Sequence, residues 1–497
     1  MSQMESRTRT RTSIASLAVV TILMALAACG GGGDAAAPAP APSPSPAPAP
    51  SPGAPTATLT APAAFANGLT GSVALTATAT DDVSVASVEF QVDGAALSTS
   101  TTAPYAATLD TTQYASGQHV VRVRALDGAG NASAWSSATV SFGGSRTQPA
   151  GITRNTSWIT GLTSATAIAQ TPDGRMLVTQ QGGALRVVTA AGALVSAPAT
   201  TLAVDSSGER GLIGVAVHPN FASNGYVYLY YTTTSGGTHN RISRFTLSPS
   251  TSNTVSAGSE FVIADLPALS TATNHNGGAL HFGADGKLYV GVGDNASGAN
   301  SQSLATRLGK MLRYNDDGTI PADNPFVATT TGVNQAIWAM GLRNPFTFAV
   351  QPGTGTIYVN DVGQSTWEEI NLGSAGANYG WPGSEGPDNL TSGLTGPLFA
   401  YNHNATSPAG SGPGGFFTGI AIIGGAFYPN SGPFPAMYRG SYFFADLGSA
   451  FVARYDGAAN AAYAFGDVGA MPVGMLTGLD GALYVLTQTG IVRFSAP

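Results

Sequence analysis

The stretch ADGKLYVGVGD, residues 284–294, joins a glycine-containing turn to a short run of alternating, β-rich sequence. Five other stretches have the same form: PDGRMLVTQ (172–180), SNGYVYLYYT (223–232), GTGTIYVNDVG (353–363), RGSYFFADLG (439–448) and LDGALYVLTQ (479–488). Their turn glycines are unevenly spaced, at Gly174, Gly225, Gly286, Gly355, Gly440 and Gly481. Six copies of one unit predict a repeat architecture with insertions between its strands.

A second β-rich run follows several of the copies. These runs are ALRVVT (184–189), RISRFTL (241–247), KMLRYN (310–315), FVARYD (451–456) and GIVRFS (490–495). A single unit of this kind cannot bury both faces of its sheet, whereas radial packing of six units buries them all. The sequence therefore predicts a six-bladed β-propeller over residues 151–497, with functional groups on the loops at one end of its channel.

A different pattern occupies residues 55–143. Short alternating runs such as SVALTATAT and GQHVVRVRAL are separated by turns about every ten to fifteen residues, which predicts an antiparallel β-sandwich. Asp127-Gly128-Ala129-Gly130-Asn131 resembles the late turn of bacterial immunoglobulin-like domains. The overall fold class expected is all-β, an immunoglobulin-like sandwich followed by the propeller. Since the region carries no cluster of titratable groups, we expect it to serve as a spacer or an adhesion module.

The N-terminus has the features of an export signal. Arg7, Arg9 and Arg11 precede an apolar run that ends before Cys29, the single cysteine of the chain. The small residues before Cys29 resemble the lipobox of bacterial lipoproteins, which implies a signal peptide at residues 1–28 and a lipidated Cys29. Residues 29–54, rich in proline, alanine and serine, are predicted to form an extended linker. We therefore expect a lipid-anchored protein of the cell envelope.

Composition excludes one class of partner. Only 9% of the 497 residues are charged and the net charge is -7, so no basic face exists that could neutralise a phosphate backbone. Nucleic acid is not an expected partner.

His275 lies between two asparagines and is followed by Gly277 and Gly278. Such glycines indicate close backbone approach, either by a ligand or by another strand, and the residues alone leave both interpretations open. A lone histidine is more often structural than catalytic, and His281 is expected to be structural.

Several longer motifs occur in a fixed order along the predicted propeller. They are GERGLIGVAVHPNF, NHNGGAL, VGVGD, LGKMLRYNDDGTIPADNPF, MGLRNPFTF, DVGQSTWEEINLGSAGANYGWP and GGAFYPNSGPFPAMYRGSYFFADLGSAFVARYD. Together they closely resemble the glucose/sorbosone dehydrogenase family, soluble quinoprotein sugar dehydrogenases built on a six-bladed propeller. The resemblance implies oxidation of an aldose to its lactone with pyrroloquinoline quinone (PQQ) and Ca²⁺.

The resemblance also implies roles for individual residues. His275 would be the general base toward the anomeric hydroxyl, and Asp294 the carboxylate that orients its imidazole. Arg343 would face the quinone and stabilise negative charge on it, and Asn344 would contact the cofactor. His275 and Arg343 count among the cofactor-binding residues as well.

For the metal, the family motif that here reads Val362-Gly363-Gln364 implies calcium bound by two successive backbone carbonyls, those of Gly363 and Gln364. Glu368 and Glu369 occupy positions that the family associates with a calcium-rich loop. Adjacent carboxylates in a loop are equally often only solvated.

The chain departs from the family in two respects. Better-known members have Gln-Gly-Pro in place of Val362-Gly363-Gln364, so one side-chain contact to the cofactor is missing. Pro429 and Ser449 align with a lysine and an arginine that bind cofactor carboxylates. Arg439 and Arg454 lie nearby in sequence and are candidates to replace them.

These features predict a lipid-anchored quinoprotein sugar dehydrogenase. Its electron acceptor must be a separate molecule, because the chain has no haem-attachment motif. Three alternatives remain: a non-catalytic binding propeller of the same family, a calcium-dependent lactonase, and an adhesion protein in which the propeller is accessory.

Overall fold

In the computed structural model, each of the six copies of the repeat forms part of its own four-stranded antiparallel sheet. The six sheets are the blades of a β-propeller. The structure describes residues 53–497 except 65, 67, 116, 144–147, 150, 248–252 and 404–416. The propeller and the sandwich before it confirm the all-β fold predicted from the sequence. The predicted signal peptide, Cys29 and nearly all of the linker lie outside the described residues.

The N-terminal sandwich has two sheets, with strand orders β1-β2-β5 and β4-β3-β6-β7. Its strands are β1 (Thr56–Ala61), β2 (Ser72–Thr80), β3 (Val85–Val92), β4 (Ala95–Ser100), β5 (Tyr105–Asp110), β6 (Gly117–Asp127) and β7 (Ser136–Phe142). Because successive side chains of a strand point to opposite faces, the alternation places Leu75, Phe90 and Val123 in the core between the sheets, each 0% exposed.

The first strand of the propeller region, β8 (Thr153–Thr160), belongs to the last blade. The first five blades follow in chain order. The first blade contains β9 (Ala165–Gln170), β10 (Met176–Gln180), β11 (Ala184–Val188) and β12 (Thr200–Thr201), and the second contains β13 (Leu212–Val217), β14 (Tyr226–Thr233), β15 (His239–Thr246) and β16 (Phe261–Ala268). The third blade contains β17 (Leu280–Phe282), β18 (Leu288–Val292), β19 (Lys310–Tyr314) and β20 (Ile337–Met340), and the fourth contains β21 (Pro345–Val350), β22 (Ile357–Asp361), β23 (Trp367–Gly373) and β24 (Phe399–Asn402). The fifth blade contains β25 (Ile422–Phe427), β26 (Tyr442–Asp446), β27 (Phe451–Asp456) and β28 (Ala461–Asp467).

The sixth blade closes the ring. It contains β29 (Pro472–Thr477), β30 (Leu483–Thr487) and β31 (Gly490–Ser495), and β8 pairs with β31 as its fourth strand. In this pairing Thr153 lies opposite Ser495 and Thr160 opposite Gly490. The chain thus joins the first strand of the propeller to its last.

The turn glycines identified in the sequence occupy equivalent places. Each precedes the second strand of a blade and has a positive φ, between 67° and 88°, which glycine adopts without steric cost. We call the end of the propeller where these turns lie the far end. The mouth end is the opposite one, where the first strand of each blade begins and the second strand ends.

Four of the first strands, β13, β21, β25 and β29, carry a β-bulge against the second strand of their blade. The bulges lie at Ile213, Phe346, Gly425 and Val473, which line a central cavity of about 50 Å³. His281 also lines this cavity, where the edge of its ring meets Phe348 at 4.8 Å. Burial lowers the pKa of His281 to about 4, so it is neutral in the channel wall.

The sandwich packs against the fifth blade toward the far end. Arg454 of β27 is 1% exposed and donates from Nη2 to the carbonyl of Asp93, 2.7 Å away in the sandwich. Its guanidinium lies 4.2 Å from the ring centroid of Tyr463. Gln118 of β6 donates to the carbonyl of Ala462 at 2.9 Å. The two folded regions are therefore joined by buried polar contacts.

Helical structure is limited to short segments. These are α1 (Phe221–Asn224), α2 (Ala299–Gln302) and the 3₁₀ segments Thr111–Gln113, Gly332–Ala336 and Ala436–Tyr438. Among the described residues, none of the helices has the length and apolar character needed to cross a membrane.

Candidate functional site

Two residues predicted as base and orienter form a buried pair at the mouth end. His275 precedes β17 and Asp294 follows β18, and their Nδ1 and Oδ1 atoms are 2.7 Å apart. The side chains of His275 and Asp294 are 8% and 1% exposed. An ionised carboxylate accepts a hydrogen bond from Nδ1–H, which leaves the other ring nitrogen, Nε2, as an acceptor in the neutral imidazole.

Backbone contacts hold this pair in place. His275 has a φ of 57°, an unusual left-handed conformation for a residue other than glycine, and its N–H donates to Oε2 of Glu209 at 2.7 Å. The N–H of Asp294 donates to the carbonyl of Arg343 at 2.8 Å. The second oxygen of Asp294, Oδ2, accepts from Nε1 of Trp381 at 2.9 Å. Three loops of the mouth end therefore fix one imidazole.

The glycines after His275 pack against protein backbone. A Cβ atom added to Gly277 would lie 2.5 Å from the carbonyl oxygen of Gly291, and one added to Gly278 would lie 2.9 Å from Ile213. Their close approach is therefore to neighbouring strands, which is the second interpretation left open by the sequence. Asn344, predicted to contact the cofactor, accepts from the N–H of Gly277 at 3.0 Å through its Oδ1.

Arg343 lies beside the pair and is 9% exposed. Its Nε and Nη2 donate to Oε1 of Gln364 at 3.0 and 2.7 Å, and its Nη1 donates to the carbonyl of Val362 at 2.9 Å. The guanidinium also lies 5.6 Å from the ring centroid of Trp381. Since a guanidinium has five N–H donors, two remain for a ligand.

The predicted carbonyl ligands lie in a loop held by Glu385. Oε1 of this glutamate accepts from four consecutive backbone N–H groups, those of residues 364–367, at 2.8 to 3.2 Å. Within the described part of the chain, the carbonyl oxygens of Gly363 and Gln364 receive no hydrogen bond. Carbonyl oxygens without donors fit a hard cation such as Ca²⁺.

Two buried carboxylates lie next to this loop. Asp361 and Glu369 line one small cavity with Gly363, Tyr379 and Ser384. Burial raises the pKa of Glu369 to about 7, and burial together with the charge of Glu369 raises the pKa of Asp361. A cation bound between the two carboxylates would offset the cost of ionising them in a buried position. The described residues contain no group of three or more His, Cys, Asp or Glu suited to a metal, so the carbonyls would have to complete the ligand set.

Glu368, the other acidic residue predicted near calcium, has different partners. Its Oε1 accepts from Nε2 of His403 at 2.6 Å, and its Oε2 accepts from the N–H of Ile422 at 2.7 Å. The side chain is 0% exposed and joins the fourth blade to the fifth. Its Oε1 also accepts from the N–H of Gly363 at 3.3 Å, so Glu368 joins the blades and contacts the predicted calcium loop, although it does not itself line the cavity that Glu369 lines.

The alignment that placed Pro429 among the cofactor ligands is wrong. Pro429 follows the end of β25, and its neighbour Tyr428 bonds to Gly481 in a far-end turn, so Pro429 lies at the end opposite His275. Arg439 and Arg454 lie toward the same far end and cannot replace a mouth-end cation. Ser449 does lie at the mouth end, between β26 and β27, where its Oγ donates to the carbonyl of Thr418.

Cations are scarce around the mouth. The sequence has no lysine or arginine between Arg343 and Arg439, a span that includes the mouth-end loop between β22 and β23 of the fourth blade. Arg210, from the second blade, is already bound to Asp205 at 2.8 Å and to the carbonyls of Ser270 and Ala272. Arg343 is therefore the cation best placed for an anionic ligand.

Sequence reasoning missed four residues that build the site: Trp381, Asp361, Glu385 and Glu209. Asp361 and Trp381 both lie within the motif DVGQSTWEEINLGSAGANYGWP, and Glu209 lies within GERGLIGVAVHPNF, so their positions were visible although their partners were not. Asp361 accepts from the N–H groups of Arg343 and Asn344 at 2.9 and 2.7 Å, and so fixes the loop that carries both.

The sequence profile of the glucose/sorbosone dehydrogenase family matches residues 162–493, more than half of the chain. The chain belongs to this family. A bacterial Ig domain profile matches residues 55–123, in agreement with the sandwich that precedes the glucose/sorbosone dehydrogenase propeller.

Similar proteins include named sugar dehydrogenases. Aldose sugar dehydrogenase YliI of Escherichia coli (strain K12) is 36% identical over 224 residues, covering 44% of this chain and 58% of that protein. Quinoprotein glucose dehydrogenase B of Acinetobacter calcoaceticus is 30% identical over 257 residues, covering 46% and 52%. The chain spans little more than half the length of these relatives.

A solved structure covers more of the propeller. The crystal structure of the soluble aldose sugar dehydrogenase from Escherichia coli in the apo form is 29% identical, with a TM-score of 0.59, over 70% of this chain and 100% of that chain. The structural similarity therefore extends over the whole length of that solved chain.

Proposed function

We propose that the protein is a quinoprotein sugar dehydrogenase that oxidises the anomeric carbon of an aldose to the lactone. The observation that carries the proposal is the His275–Asp294 pair, a buried imidazole with Nδ1 held by a carboxylate and Nε2 left as an acceptor. Family membership and the similarity to aldose and glucose dehydrogenases support the substrate class.

The chain's own residues handle the proton of the reaction. Nε2 of His275 would take the proton of the anomeric hydroxyl as that oxygen becomes the lactone carbonyl. Asp294 would stabilise the imidazolium so formed, and Trp381 would keep the carboxylate aimed at Nδ1. PQQ, when bound, supplies the oxidant that accepts the hydride from C1 of the sugar.

The residues present fit the reactive part of such a cofactor. Arg343 has two free N–H donors for a quinone oxygen. Asn344 lies beside it at the same mouth end. Calcium would be held by the carbonyls of Gly363 and Gln364 and by Glu369, with Asp361 adjoining. The carboxylates of PQQ would meet few cations, and we therefore expect weaker binding than in a site lined with lysine and arginine.

The test is a titration of the purified protein with PQQ and Ca²⁺, followed by dye reduction with a panel of aldoses. We expect saturable cofactor binding and sugar-dependent turnover that is lost in His275→Ala. Absence of PQQ binding at micromolar concentration, with calcium binding intact, would instead favour a non-catalytic binding propeller.

The structure gives less support to a calcium-dependent lactonase. That chemistry needs acidic and amide side chains around one central metal, whereas the described residues of the central cavity are mainly aliphatic, aromatic and glycine. Lactone hydrolysis without quinone would reverse this preference.

Export and anchoring are part of the proposal. The apolar N-terminal run and Cys29 support a lipid-anchored protein of the cell envelope that passes electrons to a separate acceptor. Mass spectrometry of the mature N-terminus tests this, with Cys29→Ser as the variant that should remain unlipidated.

A further inference from the structure

A groove at the far end of the propeller lies between the fourth and fifth blades, at the end opposite His275. Its volume is about 300 Å³, against about 50 Å³ for the central cavity. Tyr358, the second residue of β22, lies in its wall. We call this space the far-end groove. Ligand pockets in proteins occupy about 300–1,000 Å³, so the far-end groove is large enough for a small ligand.

The hydroxyl of Tyr358 differs from those of the tyrosines at the same place in two other blades. Tyr289 of β18 donates to Oδ2 of Asp285 at 3.0 Å, and Tyr484 of β30 donates to Oδ2 of Asp480 at 2.8 Å. The Tyr358 hydroxyl has no hydrogen-bond partner among the described residues, and burial alone raises its pKa. Since hydroxyls within a protein are normally hydrogen-bonded, this one is available to a ligand.

Two differences between the blades explain the unpaired hydroxyl. In the third and sixth blades, an arginine lies opposite the tyrosine on the neighbouring strand and bonds to an aspartate in the turn before it. In the fourth blade, Leu372 lies opposite Tyr358 and Thr354 occupies the turn. Oγ1 of Thr354 donates to Oε1 of Gln351 at 2.7 Å, and Leu372 is 37% exposed. The fourth blade therefore has the tyrosine without either charged neighbour.

The ring of Tyr358 is held by three buried aromatic side chains of the fifth blade. Its centroid lies 4.9 Å from that of Phe427, 5.1 Å from that of Tyr442 and 6.0 Å from that of Tyr455, at tilted or edge-to-face angles. A Cβ atom added to Gly457 would lie 3.2 Å from the Tyr358 hydroxyl oxygen, so the glycine leaves space beside that hydroxyl. The far-end groove thus contains an aromatic ring whose position is fixed before a ligand binds.

Polar side chains of both charge signs surround this ring. Asn430 and Arg439 come from the connection between β25 and β26, and Arg439 reaches only the carbonyl of Gly432, at 3.5 Å, within the described part of the chain. Asp456 accepts from two backbone N–H groups through Oδ1, and its Oδ2 lies 3.6 Å from Arg454. A charged ligand would meet a like charge here, whereas neutral hydroxyls can donate to a carboxylate and accept from a guanidinium. The groove therefore suits a neutral ligand with many hydroxyl groups.

We propose that the far-end groove is a saccharide-binding site. A sugar ring has apolar C–H groups beside its hydroxyls, so it would pack against Tyr358. Its hydroxyls would bond to Asn430, Arg439 and Asp456. Because the groove lies at the far end, this binding goes beyond the oxidation proposed at His275 and does not depend on it. A saccharide bound there would hold the protein on a glycan while the mouth end stays open.

Calorimetry with the purified protein, in EDTA and without PQQ, tests the proposal. The probes are methyl β-glucoside, trehalose, cellobiose, maltose and chitobiose, and the first two have no free anomeric hydroxyl to oxidise. We expect at least one of them to bind with a Kd below about 10 mM. His275→Ala should bind that saccharide with the same Kd. Binding of none of the five would overturn the proposal.

Tyr358→Phe isolates the hydroxyl, which has no partner to lose in the described part of the protein. This variant should keep the Tm of the unaltered protein and weaken saccharide binding by about 2- to 10-fold, the contribution of one hydrogen bond. Tyr484→Phe is the matched control. It removes a hydroxyl that is bonded to Asp480, so it should lower the Tm and leave the Kd unchanged.

A second variant rebuilds the arrangement of the third and sixth blades. Thr354→Asp combined with Leu372→Arg changes two exposed positions and would engage the Tyr358 hydroxyl, so we expect binding to weaken by about 10-fold or more. An unchanged Kd in this variant and in Tyr358→Phe would overturn the proposal. Loss of binding in His275→Ala would also overturn it, because the saccharide would then lie at the mouth end. Absence of turnover with PQQ would defeat the proposed function alone.

Discussion

Asp294 holds two groups at once: Oδ1 lies 2.7 Å from Nδ1 of His275, and Oδ2 lies 2.9 Å from Nε1 of Trp381. Both oxygens of the buried carboxylate are thereby fixed in direction. An imidazole held in this way presents Nε2 as an acceptor at a constant position, which a base in proton transfer requires.

The pair should respond sharply to substitution. We expect Asp294→Asn to lower kcat for aldose oxidation by about 10²- to 10⁴-fold, because the amide cannot stabilise an imidazolium. Dye-reduction kinetics measure the effect. His281→Gln is the matched control, since His281 lies in the central channel, and its kcat should stay close to that of the unaltered protein. Equal losses in the two variants would contradict the assignment.

Trp381 should act through Asp294 alone. Trp381→Phe keeps an aromatic ring beside Arg343 and removes the indole N–H, a hydrogen bond to a charged group of about 1.5–3 kcal/mol. We expect kcat to fall by about 10- to 100-fold while KM changes little. Trp135→Phe in the sandwich, where Trp135 contacts Arg122 and Arg124, should leave both constants unchanged.

The scarcity of cations at the mouth end leads to a gain-of-function prediction. Ser449→Arg would place a guanidinium at the mouth end, and we expect it to tighten PQQ binding by about 10- to 100-fold through one charge-assisted hydrogen bond. Pro429→Lys adds a similar charge at the far end and should leave the Kd unchanged. Fluorescence titration with PQQ distinguishes the two, and an equal effect of both would show that only net charge matters.

Calcium should stabilise the protein in a pH-dependent way. The raised pKa of Glu369, about 7 against 4.5, means that the folded protein without calcium binds a proton that the unfolded chain has released. Without calcium, the free energy of unfolding therefore falls as pH rises from about 4.5 to about 7, and it stays low above that range. Chelation of calcium should lower the Tm much more at pH 8 than at pH 5.

Glu369→Gln should remove most of the difference between the chelation effects at pH 8 and pH 5, because the glutamine side chain cannot ionise. Thermal unfolding with and without EDTA provides the measurement. Asp317→Asn, in an exposed turn of the third blade, is the control and should retain the full effect of the unaltered protein. A calcium effect of the same size at both pH values would count against the site at Glu369.

The contact between sandwich and propeller depends on Arg454. Arg454→Met would leave the carbonyl of Asp93 without its donor, and we expect a loss of about 1–3 kcal/mol in the free energy of unfolding. Arg439→Met, at an exposed position, should change it by less than about 0.5 kcal/mol. Urea unfolding followed by tryptophan fluorescence compares them. Equal free energies of unfolding in the two variants would indicate that the contact between Arg454 and Asp93 does not stabilise the protein.

The sequence predicted the repeating parts of this molecule well, for a physical reason. A turn glycine with positive φ and the alternating strand after it are local properties, so Gly286 and the run after it could be interpreted without knowledge of the fold. His275 and Asp294 were assigned through the family resemblance of the motifs NHNGGAL and VGVGD, because the residues alone left the role of His275 open.

Other features depend on contacts that no local pattern encodes. Pro429 was assigned by alignment with a family position, and the alignment did not show that the residue follows β25 at the far end. Arg454 was considered for the cofactor, yet its partner Asp93 is 361 residues away. Gly277 and Gly278 could not be assigned to a ligand or a strand until the neighbouring strand at Ile213 was placed against them.

The closing strand brings the two ends of the propeller region together, so that the region could be circularly permuted. Because Thr153 pairs with Ser495, the two ends of the propeller chain lie one strand spacing apart. A short peptide could join them, and new termini could be opened in an exposed connection such as Gly236-Gly237 of the second blade. The order of blades along the gene is thus one of several circular orders that would encode the same ring.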